Sequence, residues 1–137
     1  MLRFRMTRIG IGQFAILSDN IPAESVQYAI NVGFGYSVDA KSIAVELTFR
    51  YENAGEKLMV LSLQCEFQIH EEDWAKAIND STLVIHKDVL EYFVSQTIGT
   101  ARGILHCKTE GTPFNHLILP PVDVANLVKD DLVVHLG

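Results

Sequence analysis

The chain is short of cysteine, of tryptophan and of positive charge, and it has no long apolar run. It holds two cysteines and one tryptophan in 137 residues. The cysteines, Cys65 and Cys107, form no Cys-x-x-Cys or Cys/His metal spacing. Each lies inside an apolar pattern, so both are expected to be reduced, buried thiols. Lys and Arg total 11 against 17 Asp and Glu, a formal net charge of −6. Such a surface excludes nucleic acid as the main partner, because phosphate binding needs concentrated Lys and Arg. It argues equally against a generic binder of anionic membranes. No apolar run approaches the roughly 20 residues of a membrane span, so no membrane insertion is expected. The opening MLRFRMTRIG is basic but lacks the apolar core of a secretory signal, which points to a cytoplasmic protein. The segment Gly99-Thr100-Ala101-Arg102-Gly103 lacks the Lys-Ser/Thr ending of a phosphate loop and does not follow a strand.

What is present is periodic. The length suits one domain over residues 1–137, and 48% hydrophobic residues suffice for a core. Leu2, Phe4 and Met6 alternate with Arg3, Arg5 and Thr7, a strand pattern. The phase then slips to Ile9 and Ile11, with Gly10 and Gly12 beside them, so a bulge would let the strand reach about Ile16. Ser18-Asp19-Asn20 and Pro22 mark a loop. Tyr28, Ile30, Val32, Phe34, Tyr36 and Val38 form one face of a second strand. Asp39-Ala40-Lys41 can turn the chain. Ile43 to Tyr51 is the third strand, Glu52-Asn53-Ala54-Gly55 a hairpin turn, and Met59 to Ile69 the fourth strand. Short connections favour an antiparallel meander with one apolar face that needs a cover.

The second half supplies the cover. His70 to Asp80 reads as a short helix or a crossing loop. From Val89 the apolar residues Leu90, Phe93, Val94, Ile98, Ala101, Ile104 and Leu105 follow helical steps, and Gly111 suits the stop. Thr112 to Leu119 reads as an extended linker. Pro120-Pro121 breaks any incoming helix, and Val122 to Val128 fits a short second one. Leu132, Val133 and Val134 fit either a strand or a last turn.

The long helix carries a second stripe. Ser95, Gly99, Gly103 and Cys107 recur every four residues, a continuous row of small side chains. Two interior glycines cost about 1 kcal/mol each relative to Ala. Close approach of a helix from a second copy would offset that cost. The alternative is that the glycines kink the helix or seat it tightly on its own sheet.

The order of four antiparallel strands, long helix, Pro-rich connection and shorter helix, with particular residues, resembles the SecB family of export chaperones. The resemblance runs from about Phe4 to Val128. It is most specific at Ala101-Arg102 and at Thr112-Pro113-Phe114-Asn115-His116-Leu117-Ile118-Leu119-Pro120-Pro121-Val122-Asp123, which looks like the family's "AR" and "GTFPxLxLxPVNF" segments. Gln64-Cys65-Glu66 looks like the Cys-Glu of its fourth strand, and Arg8-Ile9 like the Arg-Ile opening its first. The resemblance implies an α+β fold, a four-stranded antiparallel sheet covered on one face by a long helix and a short C-terminal helix. It implies a homo-oligomer, a dimer or tetramer, which agrees with the ridge Ser95, Gly99, Gly103 and Cys107 as the joining surface. It further implies an ATP-independent holdase for unfolded polypeptide that uses no cofactor. Connecting-segment residues Trp74, Phe114 and Leu117 are the candidate groove; Trp74 equally fits an anchor to the core. Glu66 matches an acid through which family members meet the translocase motor SecA. Gln13 and Leu17 stand uncharged where the family has further acids, and the chain stops soon after the second short helix. These departures speak against SecA coupling and leave a dedicated partner, such as a toxin–antitoxin component, as the alternative role.

Catalytic readings are weaker. His70-Glu71-Glu72-Asp73 is the densest titratable cluster, yet consecutive positions point in different directions and suit a solvated segment. His106 and His116 have no nucleophile nearby in sequence. No enzyme activity and no metal site are expected.

Overall fold

Pairing between distant strands decides the architecture. The computed structural model describes residues 2–19 and 26–137. The strands β1 (Phe4–Ile16), β2 (Gln27–Ser37), β3 (Ser42–Asn53) and β4 (Glu56–Ile69) are followed by α1 (Glu71–Lys76), β5 (Ile78–Asn79) and β6 (Thr82–Ile85). The long helix α2 (Lys87–Lys108), a 3-10 turn at Pro113–His116, the single-turn α3 (Val124–Leu127) and β7 (Leu132–His135) complete the chain. The four long strands form one antiparallel sheet in the order β1-β4-β3-β2. The expected meander therefore holds only for β2, β3 and β4. The first strand pairs with β4 at the far edge, a Greek-key order. The connection between β1 and β2 is long enough for this, whereas a two-residue turn would have forced them together. The loop expected at Asn20 and Pro22 lies outside the described residues.

Alternation explains the sheet's two faces. Ile43, Val45, Leu47, Phe49 and Tyr51 of β3 are buried, as are Met59, Leu61, Leu63, Cys65, Phe67 and Ile69 of β4. Each fully buried large side chain of this kind contributes about 1.5–3 kcal/mol. The turn between β3 and β4 places Ala54 and Gly55 at positive φ, the two-residue geometry that matches strand twist. In β1 the apolar phase slips twice, between Met6 and Arg8 and again between Ile11 and Gln13. Two bulges thus set Phe4, Met6, Ile9, Ile11, Phe14 and Ile16 opposite Ile69, Phe67, Cys65, Leu63, Leu61 and Met59. All six share the covered face with their partners.

The helix α2 lies over β3 and β4 and buries Leu90, Phe93, Val94, Thr97, Ile98, Ala101 and Leu105. Phe93 stacks on Phe67 with ring centroids 4.4 Å apart. No side chain of His86 caps the helix; Asp131, far along the chain, accepts the Lys87 N–H at 2.7 Å. The segment expected to be extended at Thr112 to Leu119 instead contains the 3-10 turn, where the Thr112 hydroxyl accepts the Phe114 N–H. Arg102 donates to the carbonyls of Leu119 and Pro120, which ties this segment back onto α2. A second sheet, in the order β5-β6-β7, joins the C-terminal strand to the hairpin after α1. Its turn puts Asp80 and Ser81 at positive φ. Leu132–His135 is thus a strand rather than a helical turn.

The acidic run after β4 is the first turn of α1. His70 accepts the Glu72 N–H, and Glu71, Glu72 and Asp73 sit where the helix dipole favours negative charge. Asp73 accepts from the Arg3 side chain at 3.0 Å and from its backbone N–H at 2.8 Å. Those two bonds hold its carboxyl down at about 2, below the ordinary 3.8. A depressed folded-state value stabilises the fold above the ordinary carboxylate range, and that stabilisation is lost as pH falls from about 4 through 2. Arg3→Ala is expected to return the Asp73 carboxyl toward 3.8 in an NMR titration. The stability gap between wild type and variant should close as the pH is lowered through that window. An Asp73 titration unchanged by the substitution would refute the pairing.

Candidate functional site

The open flank of the covered face is the feature the fold leaves unexplained. The helix covers the two central strands, so both edge strands extend beyond it. On β1, Ile9 is 52% and Ile11 46% exposed; on β2, Tyr28 is 42% and Tyr36 48% exposed, with Val38 just beyond it at 46%. Between the tyrosines, Ile30, Val32 and Phe34 are half-buried against the core. The row from Tyr28 to Tyr36 is therefore a continuous apolar strip seated on the core and open to solvent at its ends.

The two edges differ in backbone protection. Edge strands expose unpaired N–H and C=O groups, and proteins blunt them with bulges, Lys, Pro or charge. The β1 edge has two bulges and carries Arg5 and Arg8. The β2 edge, Gln27–Ser37, carries no charge and no proline. It pairs with β3 in unbroken register from Gln27↔Glu52 to Ser37↔Ser42. Among the described residues nothing pairs with its outer side. An added strand would find a straight backbone ladder and an apolar row in the same place.

An aromatic chain runs from this strip to the connecting segment. Tyr28 stacks on Phe49, Phe49 meets Tyr51 edge to face, and Tyr51 stacks on Phe114. The Tyr51 hydroxyl donates to the Leu117 carbonyl at 3.3 Å, and burial pushes this phenol's pKa up. Leu117 is thereby held, half-buried, at the Tyr28 end of the row, with Ile118 62% exposed beside it.

The sequence-based groove residues divide. Phe114 is 1% and Trp74 3% exposed, so both belong to the core and offer no surface to a partner. Trp74 anchors the short α1, the alternative its polar surroundings allowed. Leu117 alone of the three borders the open strip. Glu66 lies on the opposite, polar face of the sheet, 3.9 Å from Arg8, which offsets its charge. Cys65 is fully buried, and burial pushes its thiol up. Cys107 is exposed, contrary to the expectation of two buried thiols, because α2 turns its last small residue away from the sheet. Ser95, Gly99 and Gly103 are exposed on the same ridge. A Cβ built at Gly99 or Gly103 meets nothing within 4 Å, so these glycines do not seat the helix on its own sheet.

The β2 edge is not legible in the sequence, because alternation marks a strand without saying which strand of the sheet lies outermost. Its signal was the charge-free run from Gln27 to Ser37. Among the described residues no three His, Cys, Asp or Glu side chains converge as metal ligands. Among them too, no helix is long and apolar enough to cross a membrane.

Neither a family model nor a curated protein matches the chain. Among solved structures it is similar to the SecB-like chaperone Rv1957 of Mycobacterium tuberculosis, solved in complex with a ChAD peptide from the Rv1956 HigA1 antitoxin. The superposition covers 88% of this chain and 91% of that one, with a TM-score of 0.56 and 13% identity. The fold is therefore SecB-like: an α+β chain with a four-stranded antiparallel sheet and its covering helices.

Proposed function

We propose that this chain is a polypeptide-binding protein that holds extended, non-native segments along the β2 flank without ATP, cofactor or catalysis. The observation that carries the reading is the conjunction at β2 of a solvent-open apolar row and an unbulged, uncharged strand edge. Backbone pairing would supply affinity for many sequences, and the row from Tyr28 to Tyr36 would select alternating apolar side chains. Leu117 would close one end.

A dedicated partner is the second form of this role. The similar chaperone is described as bound to an antitoxin peptide, so a single client segment, rather than a flux of exported proteins, has specific support. Coupling to SecA has none: Glu66 is offset by Arg8, and Gln13 and Leu17 carry no charge.

The test is binding of a permanently unfolded, fluorescently labelled protein to the purified chain, with its folded form as control. Binding at a Kd of about 1 µM or tighter to the unfolded form alone supports a general holdase. If the chain ignores unfolded proteins but captures one partner segment, the dedicated role stands. If it binds extended polypeptide of no kind, the reading falls.

Assembly through the ridge Ser95, Gly99, Gly103 and Cys107 is part of the proposal. The four residues face solvent and leave room for another backbone. Gly103→Leu would fill that room, and its Cβ would meet nothing within 4 Å outside the neighbouring turns of its own helix. It is expected to shift sedimentation velocity toward the smaller species with folding intact, and an unchanged oligomer would refute the ridge.

A further inference from the structure

The small sheet has an open edge of its own. The strand β7 is outermost in the order β5-β6-β7, and among the described residues nothing pairs with its outer side. It carries no acid, lysine, arginine or proline and pairs with β6 in unbroken register. Leu132, Val134 and Leu136 are half-buried against the core, whereas Asp131, Val133 and His135 are exposed, Val133 at 52%. An edge of this kind, with a bare valine at its middle, is one that proteins usually blunt unless it is used.

The bonding pattern fixes which backbone groups are free. Leu136 donates its N–H to the Ser81 carbonyl at 2.7 Å, and the register runs on from there to Leu83↔Val134 and Ile85↔Leu132. On the other side of β6, Val84 donates to the Ala77 carbonyl at 2.9 Å, so Leu83 and Ile85 turn their backbone groups toward β7. Antiparallel bonding alternates along a strand. Leu132, Val134 and Leu136 therefore bond inward to β6, and Asp131, Val133 and His135 aim their N–H and C=O groups outward.

We propose that β7 pairs with β7 of a second copy of this chain, antiparallel across a two-fold axis at Val133. Only an outward-aimed residue can lie on that axis, because it exchanges both bonds with its own counterpart. Asp131 on the axis would set two carboxylates directly opposite. His135 on the axis would set two imidazoles opposite and draw Val133 away from its counterpart. With Val133 there, valine meets valine, and Asp131 of each copy stands opposite His135 of the other. On the inner face Leu132 stands opposite Val134, so apolar meets apolar and acid meets base. The free stretch is too short to grip an arbitrary strand, and its match to itself selects a second copy. The two small sheets then run on as one. This contact is separate from both the β2 flank and the α2 ridge.

The test uses the full chain carrying Val133→Cys and Cys107→Ser, the second change removing the exposed native thiol. Facing Cα atoms of such a bonded pair lie about 5.5 Å apart, within the span of a disulfide. Mild oxidation is expected to give a covalent dimer about tenfold faster than Lys129→Cys in the same background, an exposed position off the pairing. Val133→Pro deletes only an outward N–H, so β6 keeps its bonds to β7. Self-association in sedimentation velocity should weaken about tenfold with the thermal midpoint kept. Val133→Lys, which leaves the backbone intact, should weaken it as well. The cross-link should persist in Gly103→Leu. Equal cross-linking from positions 133 and 129, a cross-link lost in Gly103→Leu, or self-association unchanged by Val133→Lys would each overturn the pairing.

Discussion

Phe93→Ala destabilises the fold by about 3–5 kcal/mol, the range for removing a large ring from a packed site. Phe93 is completely buried, stacks on Phe67 at 4.4 Å and meets Phe4 edge to face at 4.8 Å. The ring therefore joins α2, β4 and the bulged edge strand β1 at one point. The aromatic groups around it are too large to collapse into the cavity. Domains of this size have about 5–15 kcal/mol in total, so the variant should approach the unfolding threshold near room temperature. Urea unfolding followed by circular dichroism measures it. Tyr92→Ala, on the neighbouring position but 45% exposed, serves as the control and should lose about 1 kcal/mol. A Phe93→Ala variant no less stable than Tyr92→Ala would overturn the helix orientation on which the open flank depends.

On the proposed reading, the Tyr28→Lys, Tyr36→Lys double variant is expected to lose about two orders of magnitude in affinity for unfolded polypeptide. Each ring taken out of a bound complex forfeits about 1.5 kcal/mol of apolar contact, and the two together about 3 kcal/mol. Lysine also blunts an edge strand in the way that proteins use to prevent strand addition. Both positions are already more than two-fifths exposed, so the fold is expected to lose little stability. Fluorescence anisotropy with the labelled unfolded protein reads the loss, and the urea midpoint confirms the fold. The same pair of substitutions at Ile9 and Ile11 of the doubly bulged β1 edge should leave this affinity within about threefold of wild type. A double variant at β2 that binds as tightly as wild type would move the client site elsewhere on the molecule.

Much of the local structure was legible because its causes are local. Period-two alternation marked β2, β3 and β4, the Glu52-Asn53-Ala54-Gly55 turn marked their hairpin, and helical spacing marked α2 with its exposed small ridge. The buried row of α2 and the exposed ridge follow from the same 3.6-residue period, so the sequence alone determined both faces of the helix. One phase slip in β1 was visible beside Gly10 and Gly12.

The rest was decided only by contacts between distant residues. Alternation says which side of a strand is apolar, not which strand lies next to it. The order β1-β4-β3-β2 arose because a long connection freed the first strand to pair across the sheet, and that order made β2 an edge. The two bulges in β1 were set by the fixed register of β4, which keeps six apolar side chains on one face. Trp74 and Phe114 sit in polar or irregular sequence, yet the helix and the sheet leave hollows that their rings fill. The small strands β5, β6 and β7 are too short for a period to register, and the pairing of β6 with β7 joins residues some fifty positions apart. The candidate site belongs to this second class. Its apolar row was in the sequence, but the row's availability depends on nothing among the described residues pairing beyond β2, which is a property of the assembled sheet.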